Sequence, residues 1–363
     1  MARFLTPLAN RRSFLKKGVL AAGAATVGAG LLGHRPSAFG QTGGLSQGDV
    51  AILRFLAAAE IIETDLWLQY NELGGVNGGN PLYMAALELL DEDMPQYISD
   101  NTRDEVSHAA FLNAYLVSKG ADPVNFDQFR TLPSSTATGA QQIGRLTNLT
   151  QLTVDTSWWV RYRSDTNPEF GATFADAVPT LNMGQHPAIP RSDDDLARSD
   201  PSNISDHLKA IAFTAGFHFA FIEQGGTSIY PALAQKASSP EVERILLAIG
   251  GSEVMHFQTW QDKAGNATPL TDVDPVTGST VTFLDLKTNQ PPTLQANLIM
   301  PTPCTFISAS LPACAIIRPT DPNVITAVGA IQAFMKDGLF IGQSDDFTQL
   351  LLAMAAAADA ARR

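Results

Sequence analysis

Apolar side chains return at three- and four-residue steps along four long stretches of this chain. Ile52, Phe55, Leu56, Ala59, Ile62, Leu66 and Tyr70 predict a helix from about 47 to 72. Ser46-Gln47-Gly48-Asp49 opens it as a variant capping box, and Gly74-Gly75 with Asn77-Gly78-Gly79 closes it. A short helix is expected over 81–91 and a long one over 94–119, with Asp93 as its cap and Gly120 as its stop. A third long helix, rich in Phe and Ala, spans 204–235. A fourth begins at Ser239-Pro240-Glu241, which supplies a cap, a proline at the first helical position and an acid in the first turn; it ends near Gly265. The short link between the last two makes them antiparallel neighbours.

Between the second and third long helices the periodicity disappears. Residues 121–200 carry Pro, Ser, Thr, Asp and Gly throughout, and Pro179, Pro187, Pro190 and Pro201 forbid a long helix near the end of the stretch. A crossover insertion of that length is unusual. From 266 to about 320 the chain reads as β-like or irregular, with Thr280-Val281-Thr282-Phe283-Leu284 as the clearest strand pattern. Helices follow at about 322–337 and 345–361, and the Ala-rich end, Ala355 to Ala361, is suited to close packing. The fold class is therefore mainly α: a four-helix bundle over 46–265 with a long crossover insertion, then an irregular and helical C-terminal extension over 266–363.

The first 40 residues change the picture of location. Asn10-Arg11-Arg12-Ser13-Phe14-Leu15-Lys16-Lys17 precedes a mild Ala/Gly-rich apolar stretch, Gly18 to Gly33, and a small-residue end, Ala38-Phe39-Gly40. This is the layout of a secretory leader, and the paired arginines resemble the twin-arginine export signal. The protein is expected outside the cytoplasm, periplasmic or extracellular, with the twin-arginine export machinery as a transient partner. The chain's net charge is −12. The leader holds six of its 24 basic residues and no acid, so the remainder sets 18 basic against 36 acidic side chains. Nucleic-acid binding by phosphate neutralisation is excluded on that balance, while cations are attracted. No segment beyond the leader is long and apolar enough to span a membrane. Cys304 and Cys314 could pair as a disulfide in an exported protein or stand as two thiols; their spacing is not that of metal ligands.

Candidate chemistry centres on the histidines. His108 and His256 each stand three residues after a glutamate, Glu105 and Glu253, in the middle of a long apolar helix. Chance spacing would give about 0.2 such motifs in a chain of this composition. Residues three apart share a helix face, so a carboxylate and an imidazole can reach one ion or two adjacent ions. Di-metal carboxylate bundles use two such motifs and one inward glutamate from each of the other two helices. Glu60 and Glu223 meet that demand, each an acid in an apolar run where an unpaired charge would cost several kcal/mol. Glu63, one turn beyond Glu60, is an alternative to it or an added ligand. Asp104 is a weaker expectation as a hydrogen-bond partner of His108, and His218 points away from Glu223. The oxygen-rich donor set of Glu60, Glu105, His108, Glu223, Glu253 and His256 suits two ions of Fe or Mn.

At these motifs the chain resembles the ferritin-like superfamily, and in particular its exported, desiccation-related branch. Glu60-Ile61-Ile62-Glu63-Thr64-Asp65-Leu66-Trp67 and Asp104-Glu105-Val106-Ser107-His108 are similar to that branch's first- and second-helix patterns. The resemblance covers roughly 48–120 and 203–265. It implies redox chemistry on O2, peroxide or Fe2+, in the manner of ferroxidases or manganese catalases, within stress protection. The alternative it leaves is a metal-binding or structural stress protein without turnover. The insertion and extension are compatible with a homo-oligomer but not with a ferritin-type hollow cage.

Overall fold

The computed structural model describes residues 44–161, 175–287, 301–302, 307–315, 322–323 and 325–363. The expected leader over 1–40 and Cys304 lie outside them; Cys314 is exposed. The described chain is mainly helical. The helices are α1 (Gln47–Gly74), α2 (Pro81–Leu87), α3 (Met94–Ser118), a single turn α4 (Trp158–Arg161), α5 (Asp206–Ala234), α6 (Pro240–Ala264), α7 (Ala327–Lys336) and α8 (Asp345–Asp359). Strands β1 (Leu270–Val273) and β2 (Thr280–Phe283) form an antiparallel hairpin, with Leu270 opposite Phe283, and β3 (Pro301–Thr302) pairs with β4 (Cys314–Ala315). Among the described residues no helix is long and apolar enough to cross a membrane.

Local chemistry sets the helix ends. Ser46 accepts from the Asp49 N–H, Ser205 from Leu208 and Ser239 from Glu241, each satisfying a first-turn donor that has no intrahelical partner. Asp93 occupies the cap position of α3 but makes no side-chain cap bond there; its backbone carbonyl instead starts the helix. The helix expected over 81–91 stops at Leu87, and the one expected from 322 starts only at Ala327, where Thr326 caps Gly329 and Asp359 of α8 takes the Ala327 and Val328 N–H groups. Two helices therefore share one carboxylate for their junction. The Ala-rich α8 lies on α1, close enough that a methyl at Gly48 would touch the Ala361 side chain at 3.2 Å.

α1 packs chiefly on α3, and α5 on α6, as two helix pairs. Nearly every residue of α5 from Leu208 to Ala234 is buried, which follows from its apolar character on all sides and its coverage by α6, α2, α7 and β1. An aromatic layer joins the pairs: Trp67 of α1 stands 4.9 Å from Phe219 of α5 and 5.3 Å from Trp260 of α6, ring centroid to centroid. Both tryptophans are fully buried.

The insertion is irregular, as its sequence demands, yet its backbone is firmly tied. Asp65 of α1 accepts from the Leu146 and Thr147 N–H groups at 2.9 Å each, from the Thr147 hydroxyl at 2.7 Å and from the Arg130 guanidinium at 2.6 Å. Tyr83 donates to the Ala188 carbonyl at 2.6 Å, and Arg145 pairs with Glu72. Trp158 is buried against Phe217 of α5 and Phe257 of α6.

A second clamp holds the insertion's end to the hairpin. His207, in the first turn of α5, reaches Asp272 of β1 at 2.8 Å and Asp195 at 3.0 Å, while Arg191 binds both Asp195 and Asp274. Burial opposes the charge on His207, but hydrogen bonds to Asp195 and Asp272 outweigh it and push the imidazole up to about 9. A histidine whose folded value is raised adds stability that is fully present below its unfolded value of about 6.5 and is lost as pH rises through the folded one. Resistance to urea is therefore expected to fall between pH 7 and 10. In His207→Ala the midpoint should lie below that of the parent at pH 7, with the gap closing by pH 10; a gap independent of pH would refute the assignment.

Candidate metal centre

The four long helices aim one acid or acid–imidazole pair each at a common point beside the aromatic layer. Glu60 comes from α1, Glu105 and His108 from α3, Glu223 from α5, and Glu253 and His256 from α6. All six side chains come together. Their donor atoms fall into two groups, each with all atoms within 4.8 Å of one another: Glu60, Glu105, His108 and Glu253, then Glu105, Glu223, Glu253 and His256. Glu105 and Glu253 belong to both. Either group is placed to hold a metal ion.

Both imidazoles present Nδ1 to the carboxylates. His108 Nδ1 lies 3.0 Å from Glu105, 3.4 Å from Glu60 and 3.5 Å from Glu253; His256 Nδ1 lies 3.1 Å from Glu105 and 3.2 Å from Glu223. The far nitrogens are fixed between the two helix pairs, from α3 to α6. His256 Nε2 donates to Asp104 at 3.0 Å. His108 Nε2 lies 3.2 Å from the Ser252 oxygen, whose own proton goes to the Ile249 carbonyl at 2.6 Å, so Ser252 accepts and Nε2 carries the hydrogen. This corrects the expectation that Asp104 serves His108: a residue four positions away shares a helix face, but Asp104 leans across to α6. The arrangement is a cross-exchange, in which the residue before each site glutamate holds the other helix's histidine.

Other supports lie outside the sequence expectation. Asn101, one turn before Glu105, donates to Glu105 at 2.8 Å and to Glu223 at 2.9 Å, and its oxygen takes the Trp260 indole N–H at 2.7 Å. Tyr230 of α5 donates to Glu60. The signal for both was present: Asn101 sits on the buried stripe of α3, and Tyr230 follows Glu223 by two helical turns. Glu63 is buried next to the cluster without joining either donor group. Burial, then the charges of Glu60, Glu105 and Glu223, push its carboxyl well above the usual range. His218 lies away from the site and bonds Tyr70 at 2.7 Å; burial pushes its imidazole down to about 3.

The donor set fits a cation. Burial and the Glu223 charge push Glu105 up to about 7, and burial with its acidic neighbours drives Glu253 well above its ordinary value. Burial opposes charge on His108, but its bond to Glu105 and the Glu60 carboxylate 3.4 Å away push it up to about 10; burial opposes charge on His256 too, and Glu223, Asp104 and Glu105 raise it. Even so, Glu60 Oε2 and both Glu253 oxygens are buried with no hydrogen-bond partner. Buried carboxylate oxygens without a partner are costly, and a bound cation supplies what they lack.

Glycines shape the space around it. A methyl at Gly226 would run into the Glu253 carboxylate, and one at Gly250 would meet Tyr230 Cβ at 2.8 Å, so Gly250 serves the close approach of α5 and α6. Gly251, exposed, faces open space. Gly226→Ala is expected to lose about 1–3 kcal/mol and to weaken metal binding by displacing Glu253. Gly251→Ala should gain about 1 kcal/mol at unchanged metal content. Urea melts and metal analysis of the two variants check both.

Comparison of the chain with protein-family models, with curated proteins and with solved structures found no match.

Proposed function

We propose that this chain is an exported, ferritin-like four-helix bundle that holds two iron or manganese ions and applies them to redox chemistry on O2, peroxide or Fe2+ in stress protection. One observation carries the reading: two four-donor groups, drawn from four helices, share Glu105 and Glu253. Shared carboxylates are what two neighbouring ions require, since each oxygen of a carboxylate can face a different ion. Oxygen donors with two imidazoles and no thiolate favour iron or manganese.

With both ions bound, the pair would supply the electrons that O2 or peroxide accepts. The chain's own residues do the rest. Asp104 and Ser252 hold the proton on each Nε2, so an ion would displace only the proton on Nδ1 and take that nitrogen's lone pair. Asn101 fixes Glu105 and Glu223 relative to one another, and Trp260 fixes Asn101. The aromatic layer of Trp67, Phe219 and Trp260 closes one side of the site to water.

Protein reconstituted with Mn and with Fe, then assayed for H2O2 loss and O2 uptake, tests the activity. Rapid peroxide loss with manganese selects the catalase-like form, and O2 uptake with iron selects the oxidase form. Full metal loading with neither reaction would overturn the redox assignment and leave a metal-holding stress protein.

A further inference from the structure

The centre is sealed on most sides. The side chains of Glu60, Glu105, Glu223 and Glu253 are at most 1% exposed and that of His256 is 6%, but that of His108 is 12%. The opening leads into a groove of about 810 Å³ between α3 and α6, with His108 and Ser252 at its inner end. Its walls are Phe111, Tyr115, Ile245, Ala248 and Ile249. Phe111 is 51% exposed, a large apolar surface to leave open beside a buried polar site.

The groove's charges are uneven. Glu241 at the outer end is already engaged, by Lys119 at 2.7 Å and Tyr115 at 3.0 Å. Arg244, also lining the groove, is exposed and has no hydrogen bond or ion-pair partner among the described residues. Its charge helps hold the nearby Glu241 carboxyl below its ordinary value, but in a protein of net charge −12 a guanidinium outside any ion pair at the outer end of an apolar groove stands out. The size is that of a small-molecule site, apolar walls with few polar groups at the ends is the usual composition of one, and arginine matches a carboxylate in two-pronged geometry. A hydrated cation would find little to bind along those walls.

We infer that this groove is the substrate approach to the centre and that it binds an amphipathic organic anion, its apolar chain or ring along Phe111, Ile245 and Ala248, its carboxylate at Arg244 and its far end at His108. The inference rests on the two-metal reading and narrows its substrate class from O2, peroxide or Fe2+ alone to an organic molecule held beside the ions. A second copy of this chain is the competing occupant, and the experiment separates it.

Decanoate is titrated calorimetrically into the full-length protein, metal-free and metal-loaded, with decanol as the uncharged control. Saturable one-to-one binding is expected, at least 10-fold tighter for decanoate than for decanol. Arg244→Gln should remove that preference, and Ala248→Trp should abolish binding by filling the groove, both at unchanged metal content. With Co2+ in the centre, decanoate should also shift the visible absorption bands through the His108 end. Normal metal uptake without saturable decanoate binding overturns the groove assignment alone. Decanoate binding in a protein that takes up no metal overturns the two-metal reading, and with it the groove's role as a substrate approach. Sedimentation showing a dimer that Leu247→Asp splits, with decanoate bound only by the split form, assigns the groove to a second copy and also overturns it.

Discussion

Replacing Glu105 by alanine is expected to empty both halves of the centre at once. Glu105 belongs to both donor groups, so its loss leaves three donors in each and removes a carboxylate that the two groups share. Glu60→Ala strips only the group that contains His108, and Glu223→Ala only the group that contains His256. Metal content per chain should therefore fall from two to near zero in Glu105→Ala and Glu253→Ala, but to about one in Glu60→Ala and Glu223→Ala. The stability readout runs in parallel. Metal at 100 times its dissociation constant adds about 2.7 kcal/mol to the folded state, and that gain should vanish in Glu105→Ala. Equal losses from all four variants would contradict the sharing, even if metal bound.

The largest effect on folding is expected away from the metals, at Asp65. Its carboxylate, buried on α1, accepts from two backbone N–H groups, the Thr147 hydroxyl and Arg130. In Asp65→Ala the Leu146 and Thr147 amides lose their partner and Arg130 is left only its longer contact, to the exposed Asp127 at 3.4 Å. Removing one partner of a buried pair costs about 3–5 kcal/mol. Asp65→Asn keeps one acceptor oxygen and should cost less. Because the same carboxylate ties the insertion to α1, proteolysis between 121 and 160 should accelerate in Asp65→Ala. Unfolding in urea measures the first effect and limited digestion the second; an Asp65→Ala protein as stable and as protected as the parent would refute the clamp.

Helical periodicity made the helices legible, and the pair of Glu-x-x-His motifs made the six donors legible, because both are local signals. The serine caps, the glycine stop at Gly265 and the strand over 280–283 are equally local. What escaped depends on distant partners. Asp65 reads in sequence as one more acid on a helix; only the return of residues 145–147 gives it work. Asp104 reads along its own helix as a partner of His108 and binds His256 instead, because spacing along one helix cannot report a lean toward another. The Ser252 counterpart becomes visible only when Asp104-Glu105-x-x-His108 is set against Ser252-Glu253-x-x-His256 as two copies of one pattern. The groove was illegible for a related reason. Phe111 and Leu247 look like ordinary core residues in a hydrophobic count, and only the geometry of α3 and α6 leaves them at the surface, 51% and 56% exposed.

The central claim is that two ions occupy the shared carboxylates together. Elemental analysis of the purified chain, joined to electron paramagnetic resonance of the same sample, tests it most directly. Two iron or manganese ions per chain with the magnetic signature of a coupled pair is the predicted result. One ion, uncoupled ions, or no stoichiometric metal in a folded protein would contradict it.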